Sequence, residues 1–440
     1  MKKYYILLSV LLMATLFLIN SCGRRADTLT IGNDGYGTVT LANGIKVLVN
    51  QDKTTSLTSA RILFGGGVLT ETPENNGITN MMIKMLLKGN ATMTAEQITE
   101  QLDFYGANIS ADGYRDYETI SFTSLTENFD SVFKIVTECI VSPTFPESEL
   151  AKLKVEIEGN IKASNDNQSA ASSKLFWKTA YGNQNYGLPT DGTIESIQNI
   201  TVAQIKSQYD KYIGGSNAIF AISTDLDVND INNRVIPFLD KIKPTAEKVT
   251  PPTKELQSNH EGLIVFDRNQ SFIFKGFILE HLSPKEFACV HLLNEVMGAN
   301  VGSRLWYLRQ KEKLAYSVYT QYATDKFGSL FRAGIGTDTS KVTQALSSLE
   351  REFKLLIDSG ITETELTDAR INMKNNLMFR IDRKSNRANN MAYYEYIGYN
   401  YRIILDLIAM ADKITLKEVN DFVKKNFTED KKYTSIVGKK

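Results

Sequence analysis

The chain has few of the residues from which metal and redox sites are usually built. Its 440 residues include 3 histidines and 3 cysteines. No two cysteines have Cys-x-x-Cys spacing, which excludes a cysteine-based zinc site. Lys and Arg number 50, as do Asp and Glu, so the formal net charge is zero. A chain without a basic surplus gives no support for nucleic-acid binding.

The N-terminus resembles a secretory signal. Two lysines precede an apolar run over residues 5–19, which is shorter than the roughly 20 residues that span a bilayer. Leu18-Ile19-Asn20-Ser21-Cys22 resembles a bacterial lipobox, and the alternative is an uncleaved membrane anchor. We predict a lipoprotein signal peptide and lipobox over residues 1–22, with Cys22 lipidated in the periplasm. Because Gly23 rather than Asp follows, outer-membrane anchoring is favoured.

The remaining chain contains two copies of one pattern. ESELAKLKVEIEGNI (147–161) is echoed by ETELTDARINMKNNL (363–377), and NITVAQIKSQYDKYI (199–213) is echoed by KITLKEVNDFVKKNF (413–427). The two offsets, 216 and 214 residues, are nearly equal, which indicates duplication of a whole domain. We predict an N-terminal domain at 27–240, a linker at 241–255 rich in Pro, Thr and Lys, and a C-terminal domain at 256–440.

Each copy combines strands with helices. TVTLANGIKVLVN (38–50) predicts a hairpin through an Asn-Gly turn, and ISADGYRDYETISFTSL (109–125) predicts a second hairpin. One long helix is expected from Pro146 to about Tyr181. Cys139 and Cys289 lie in apolar helical segments, so we interpret both as small buried residues rather than disulfide partners. The predicted fold class is α+β, with a mostly antiparallel sheet covered by helices occurring twice.

One predicted helix, NNGITNMMIKMLLKGN (75–90), is apolar except along a single face. Asn80, Lys84 and Lys88 are four residues apart, so they share that face. The polar stripe is either the solvated edge of a core helix or the remainder of a site.

The element order, the duplication and several short motifs resemble the pitrilysin/insulinase-like zinc metallopeptidases, a family that includes mitochondrial processing peptidase. In that family the first helix carries His-x-x-Glu-His, followed by apolar residues and Lys-Gly. Alignment on Lys88-Gly89 places Asn80 and Lys84 at the two histidine positions and Ile83 at the catalytic glutamate. The family's third ligand, a glutamate on the long helix, corresponds to Asn160 in the best register.

These replacements remove the chemistry that the resemblance would imply. An ammonium group has donors only and repels a divalent cation, and Ile83 cannot transfer a proton. Glu156 and Glu158 lie close to the third position, but one carboxylate cannot hold a catalytic zinc alone. We therefore expect no metal and no other cofactor in this chain.

A metal site elsewhere in the chain would have to use one of the three histidines, His260, His281 and His291. His291 and Glu295 stand four residues apart on a predicted helix and could supply two ligands, but no third donor lies nearby in sequence. We interpret His291 as a hydrogen-bonded packing residue.

The second half retains a different motif. GSRLWYLRQKEKLAYSVY (302–319) resembles the family's C-terminal motif, in which an Arg and a Tyr are seven residues apart; here they are Arg309 and Tyr316. The resemblance implies that Arg309 holds a substrate carbonyl or carboxylate and that Tyr316 stabilises the oxyanion. The alternative is that both residues serve packing.

A run of three glycines, Gly65, Gly66 and Gly67, precedes the polar-striped helix. In the family this region lies close to where substrate adds as an extra strand. The glycines would either admit a substrate backbone or mark a bulge.

The resemblance implies a non-catalytic subunit of a heterodimeric zinc peptidase. The partner would be a separate chain of the same family that carries the zinc and an intact His-x-x-Glu-His, and the substrates would be peptides. The alternative is a lipid-anchored pseudoenzyme that binds peptides or scaffolds an envelope complex without hydrolysis. An active peptidase with a relocated metal would instead contain stoichiometric zinc in the isolated chain.

Overall fold

The computed structural model describes residues 28–252, 256–298 and 300–439. The predicted signal peptide, Cys22 and Gly23 lie outside the described residues. Residues 243–252 of the predicted linker form no helix or strand. No helix in the described ranges combines the length and the apolar character needed to cross a membrane.

The first half of the chain supplies one sheet and the helices around it. Its strands are β1 Tyr36–Thr40, β2 Lys46–Gln51, β3 Leu57–Gly65, β4 Asn108–Gly113, β5 Tyr117–Leu125 and β6 Ala218–Thr224. Its helices are α1 Ile78–Leu86, α2 Ala95–Phe104, α3 Phe129–Val141, α4 Glu147–Asp166, α5 Gln168–Tyr181, α6 Ile194–Asn199 and α7 Val202–Tyr212, followed by a helical segment at 228–239. The strand order is β1-β2-β6-β3-β5-β4, with β2 and β6 parallel and the other neighbours antiparallel. Both predicted hairpins, β1-β2 and β4-β5, are confirmed.

The second half repeats this architecture with five strands. They are β7 Glu261–Val265, β8 Gln270–Leu279, β9 Ser317–Asp325, β10 Gly328–Asp338 and β11 Lys432–Gly438, in the order β7-β11-β8-β10-β9. Its helices are α8 Pro284–Met297, α9 Trp306–Gln310, α10 Val342–Ser359, α11 Glu363–Phe379, α12 Lys384–Tyr396, α13 Ile403–Ala411 and α14 Leu416–Asn426. Two sheets covered by helices confirm the α+β fold class.

Several helices begin at a Ser or Thr that forms a capping box. The hydroxyl accepts a hydrogen bond from the backbone N–H three residues later, and the side chain of that later residue bonds back to the cap. The caps of this kind are Thr94, Thr193, Thr201, Ser283, Thr362 and Thr415. These local signals fix the helix starts independently of the packing.

The helix predicted from Pro146 to Tyr181 is in fact two helices, so that prediction is wrong. Asn167 ends α4 with an extended backbone (φ −84°, ψ 111°), and its side chain accepts a hydrogen bond from the Ala170 N–H at the start of α5. The break changes the direction of the chain, and α5 leaves the first sheet.

The two halves exchange helices. α5 packs on β8 and β11 of the second sheet, where Phe176 and Trp177 join one buried apolar cluster with Phe274 and Tyr433. In return, α12 packs on β3 and β6 of the first sheet. Each sheet is therefore covered in part by a helix from the other half.

The α12 exchange is supported by polar contacts as well as by packing. The ammonium of Lys384 donates to the carbonyls of Thr55 (2.7 Å) and Leu57 (2.8 Å) in the first half. Arg387 forms a hydrogen-bonded ion pair with Asp52. These contacts connect the first turn of α12 to the loop before β3.

Candidate functional site

The helix with the polar stripe is α1, and its N-terminus is capped by a buried carboxylate. Gly77, at φ 95°, precedes the helix and approaches Gly192 so closely that a Cβ would lie 2.9 Å from the Gly192 Cα. The Glu71 carboxylate accepts from the N–H groups of Gly77 (2.8 Å) and Thr79 (2.9 Å). Negative charge is favoured at this end of a helix, although burial raises the pKa of Glu71.

Asn80 and Lys84 face strand β4, and their polar groups are occupied. The Asn80 amide oxygen accepts from Gly113 N–H (3.2 Å), and its amide nitrogen donates to the Asp191 carboxylate (3.3 Å). The Lys84 ammonium donates to the Ala111 carbonyl (3.0 Å). Lys88 lies in the turn after the helix and does not extend this contact. The stripe therefore connects α1 to β4.

This group of residues does not fit a zinc ion. Asn80 and Lys84 offer an amide and an ammonium in place of imidazoles, and the ammonium also lies 3.7 Å from the Asp112 carboxylate. Ile83 is fully buried in the apolar core, and Asn160 is exposed on α4. Among the described residues, no group of three or more His, Cys, Asp or Glu side chains is arranged to hold a metal ion.

The structure shows what surrounds Gly65, Gly66 and Gly67, for which the sequence left a substrate approach and a bulge open. Gly65 ends β3, an interior strand that pairs with β5 and β6, and Gly66 and Gly67 follow it directly. A Cβ on Gly66 would lie 2.6 Å from the Glu118 carboxylate, and the Gly67 N–H donates to that carboxylate (2.9 Å). The glycines make room for a buried side chain of the same domain, and burial raises the pKa of Glu118.

Arg309 and Tyr316 are both exposed, and the segment between them is firmly anchored. Arg309 lies in the last turn of α9, and its guanidinium stacks on the Trp306 ring at 4.9 Å. Leu308 and Leu314 are buried on either side of the loop. The backbone of Tyr316 donates to the Gly336 carbonyl (2.9 Å), while its side chain is 59% exposed.

The acidic side chain of Glu312 anchors the same loop to α10. Glu312 accepts from Arg351 (2.5 Å) and from the Ser348 hydroxyl (2.7 Å). The guanidinium and the phenol are therefore presented to solvent from a loop with little freedom to move.

His291 is a packing residue, as predicted. It is buried, its ring lies 4.6 Å from that of Phe287, and its Nδ1 is 3.0 Å from the Tyr322 hydroxyl. Burial lowers the pKa of His291, which keeps the ring neutral. Glu295 accepts from Asn376 (2.9 Å) and Asn300 (3.2 Å). Cys139 and Cys289 are free thiols, and burial raises their pKa values to about 11 and about 12.

A cavity of about 460 Å³, not foreseen from the sequence, lies between the two halves beside Asn80. Gly113, which contacts Asn80, lines it, as do Arg115 from the first half and Asp325 and Arg332 from the second. Arg309 and Tyr316 are not among the described residues that line it. Tyr316 stands before the start of β9, about 16 Å along the strand from the cavity residue Gln321.

Two family models match consecutive parts of the chain. The model described as "Insulinase (Peptidase family M16)" matches residues 46–194, and "Peptidase M16 inactive domain" matches residues 199–373. The chain belongs to the M16 peptidase family. Together with Asn80, Ile83 and Lys84 at the zinc-motif positions, these matches identify an M16 homologue that lacks the residues of a peptidase zinc site.

Curated relatives match between half and nine-tenths of the chain. An uncharacterized zinc protease, YmxG, from Bacillus subtilis is 24% identical and covers 89% of this chain and 95% of its own. The "Non-peptidase homolog YmxG" of Helicobacter pylori is also 24% identical, over 82% of this chain and 84% of its own. Mitochondrial-processing peptidase subunit alpha-1 of Dictyostelium discoideum is 25% identical over 50% of this chain and 33% of its own.

The fold is also that of solved M16 structures. A peptidase M16 inactive domain from Pseudomonas fluorescens superimposes with a TM-score of 0.85 at 22% identity, covering 92% of this chain and 98% of that one. At this identity the likeness shows a shared fold.

Proposed function

We propose that this M16 homologue is the non-catalytic subunit of a heterodimeric zinc peptidase. The observation that carries the proposal is the contrast between its two motifs. At the zinc-motif positions, Ile83 is buried in the core, and Asn80 and Lys84 hydrogen-bond to β4. At the second motif, the side chains of Arg309 and Tyr316 are exposed on an anchored loop.

The exposed pair has the chemistry that a zinc-bearing partner would need. A guanidinium is a rigid fork of donors for a peptide carbonyl or carboxylate, and a phenol placed at a developing oxyanion stabilises the transition state. The partner would be a second M16 chain with an intact His-x-x-Glu-His and its own zinc. The match to a processing-peptidase subunit supports an assembly of this kind.

Turnover by the assembled pair tests the proposal. Each subunit variant would be co-purified with the zinc-bearing chain and assayed with a fluorogenic peptide. Tyr316→Phe is expected to lower kcat by about 100-fold, the usual effect of removing one oxyanion donor, and Arg309→Ala is expected to lower kcat/KM by at least as much. The matched controls are Tyr307→Phe, at an exposed tyrosine of the same segment outside the Arg309–Tyr316 pair, and Lys354→Ala, at an exposed cation outside the segment.

Full turnover with both motif variants in a stable pair would overturn the auxiliary role. Stoichiometric zinc in the isolated chain would instead favour an active peptidase with a relocated metal. If no M16 chain with an intact zinc motif co-purifies, the pseudoenzyme that binds peptides or scaffolds an envelope complex becomes the better account.

The subunit is further proposed to be lipid-anchored at Cys22, at the outer membrane and on its periplasmic side. The basic start, the short apolar run and the lipobox-like Leu18–Cys22 segment support this location. Cys22→Ala is expected to move the protein from the membrane fraction to the soluble periplasmic fraction. Unchanged membrane association of that variant would contradict a lipid anchor.

A further inference from the structure

The cavity between the halves has aromatic walls and a charged end. Its aromatic residues are Tyr114, Tyr117, Trp177, Tyr322 and Tyr393. The rings of Tyr114 and Tyr117 are stacked at 4.5 Å, and Trp177 carries the Arg115 guanidinium at 4.1 Å above its ring. A volume of about 460 Å³ is within the range of small-molecule sites, about 300–1,000 Å³.

The guanidinium of Arg332 is buried with one nitrogen unused. Its Nη2 donates to Ser173 (2.7 Å) and Gln321 (2.9 Å), and its Nε donates to Gln321 (3.2 Å). Its Cζ lies 3.8 Å from the Phe274 ring centre. Its Nη1 has no hydrogen-bond partner among the described residues. Buried donors of this kind are nearly always satisfied in folded proteins, so this one requires an explanation.

The carboxyl groups around the cavity do not neutralise its cations. Asp116 accepts from the Lys326 N–H (2.6 Å) and the Tyr186 hydroxyl (3.1 Å), and its other oxygen is unpartnered among the described residues. Burial, together with the nearby Asp116, raises the pKa of Asp325, which disfavours two full negative charges at this place. Lys326 adds a further cation beside Asp116. The three cations Arg115, Arg332 and Lys326 therefore outnumber these two carboxyl groups.

We propose that this cavity binds a carboxylate attached to an aromatic group, as at the C-terminus of a peptide that ends in an aromatic residue. Arg332 would donate to the carboxylate through its unused Nη1, and Arg115 would add positive charge, since hydrogen bonds between charged groups are roughly twice as strong as neutral ones. The tyrosine and tryptophan walls would contact the ring. This binding does not depend on a zinc-bearing partner, so it stands or falls separately from the proposed function.

The two tryptophans provide a direct assay on the isolated mature chain. Trp177 lines the cavity, whereas Trp306 lies beside Arg309, so Trp306→Phe leaves Trp177 as the only tryptophan reporter. N-acetyl-phenylalanine is expected to change the Trp177 fluorescence saturably. N-acetyl-phenylalaninamide, which lacks the charge, is expected to bind about tenfold more weakly or worse, as for loss of a charged hydrogen bond. A tetrapeptide ending in Phe, free and amidated, distinguishes a peptide terminus from a small aromatic acid.

Two variants distinguish the contribution of the cavity's charge to binding from the contribution of its shape. Arg332→Gln is expected to abolish the preference for the acid over the amide. Arg234→Gln, at a half-exposed arginine of the first half that does not line the cavity, should keep it. Ala323→Leu fills the cavity without changing a charge and should weaken both ligands, which keeps the test decisive if Arg332→Gln does not fold. Equal binding of acid and amide, preferential binding of phenethylamine, or unchanged binding to Ala323→Leu would each overturn the proposal.

Discussion

Ile83 lies at the position of the family's catalytic glutamate, and its side chain is fully buried. Asn80 and Lys84, at the two histidine positions of the motif, hydrogen-bond to β4. The approach is close, because a Cβ on Gly113 would lie 2.8 Å from the Asn80 Cα. The residues at the former motif positions therefore stabilise the helix–strand contact.

Truncation of Ile83 tests this structural role. Ile83→Ala is expected to lower the free energy of unfolding by about 2–5 kcal/mol, because the lost methyl groups leave a cavity in a packed core. Val155→Ala removes apolar volume from an α4 side chain that is 72% exposed, and it should change stability by about 0.5 kcal/mol or less. Urea unfolding followed by circular dichroism measures both. Equal small losses would show that Ile83 does not belong to the core.

Sequence spacing was sufficient to place Asn80, Ile83 and Lys84 on one helix, because the helical period and the Lys88-Gly89 register fix them together. Spacing could not decide the role of Gly65, Gly66 and Gly67. Three glycines indicate that side chains are excluded, but they do not tell whether a substrate or the protein's own Glu118 takes the space. The cavity between the halves could not be predicted from the sequence either. The Lys326 N–H meets Asp116, which lies 210 residues earlier, and no local pattern encodes such a contact.

At the scale of elements, the break between α4 and α5 determines which sheet each helix covers. α4 buries Leu150, Leu153, Ile157 and Ile161 against the first half. After Asn167, α5 buries Phe176 and Trp177 against the second sheet. The sequence carried a signal for this break, since Asn167 is a preferred N-cap residue type. The absence of Pro and of a nearby Gly nevertheless favoured one continuous helix.

The second half contains the corresponding arrangement. α11 ends at Phe379, and α12 begins at Lys384 and crosses to the first sheet. In each half, the second helix of the pair therefore packs on the sheet of the other half: α5 on the second sheet and α12 on the first. The repeat offset alone did not predict this exchange. Periodicity identifies the apolar face of a helix, but it does not specify the sheet that covers that face.

At the scale of the whole molecule, the exchanged helices make each half depend on the other. Leu48, Leu63, Ile219 and Ala221 of the first sheet belong to the same buried cluster as Met391 and Ala392 of α12. Without α12 this face of the first sheet would be exposed, and large exposed apolar patches lead to association. The two halves of this chain are thus joined by packing as well as by their covalent connection.

Separate expression of the halves tests this dependence. Residues 28–240, which lack α12, are expected to be poorly soluble and to bind a hydrophobic dye, because the sheet face packed by α12 becomes exposed. Co-expression with residues 256–439 should restore a soluble complex that unfolds in one cooperative transition, since both exchanged helices are then present. That result would show that the folded structure requires α5 and α12 but does not require the two halves to be covalently joined. A fragment of residues 28–240 that unfolds cooperatively alone, with a free energy near that of the whole chain, would contradict the interdependence of the halves.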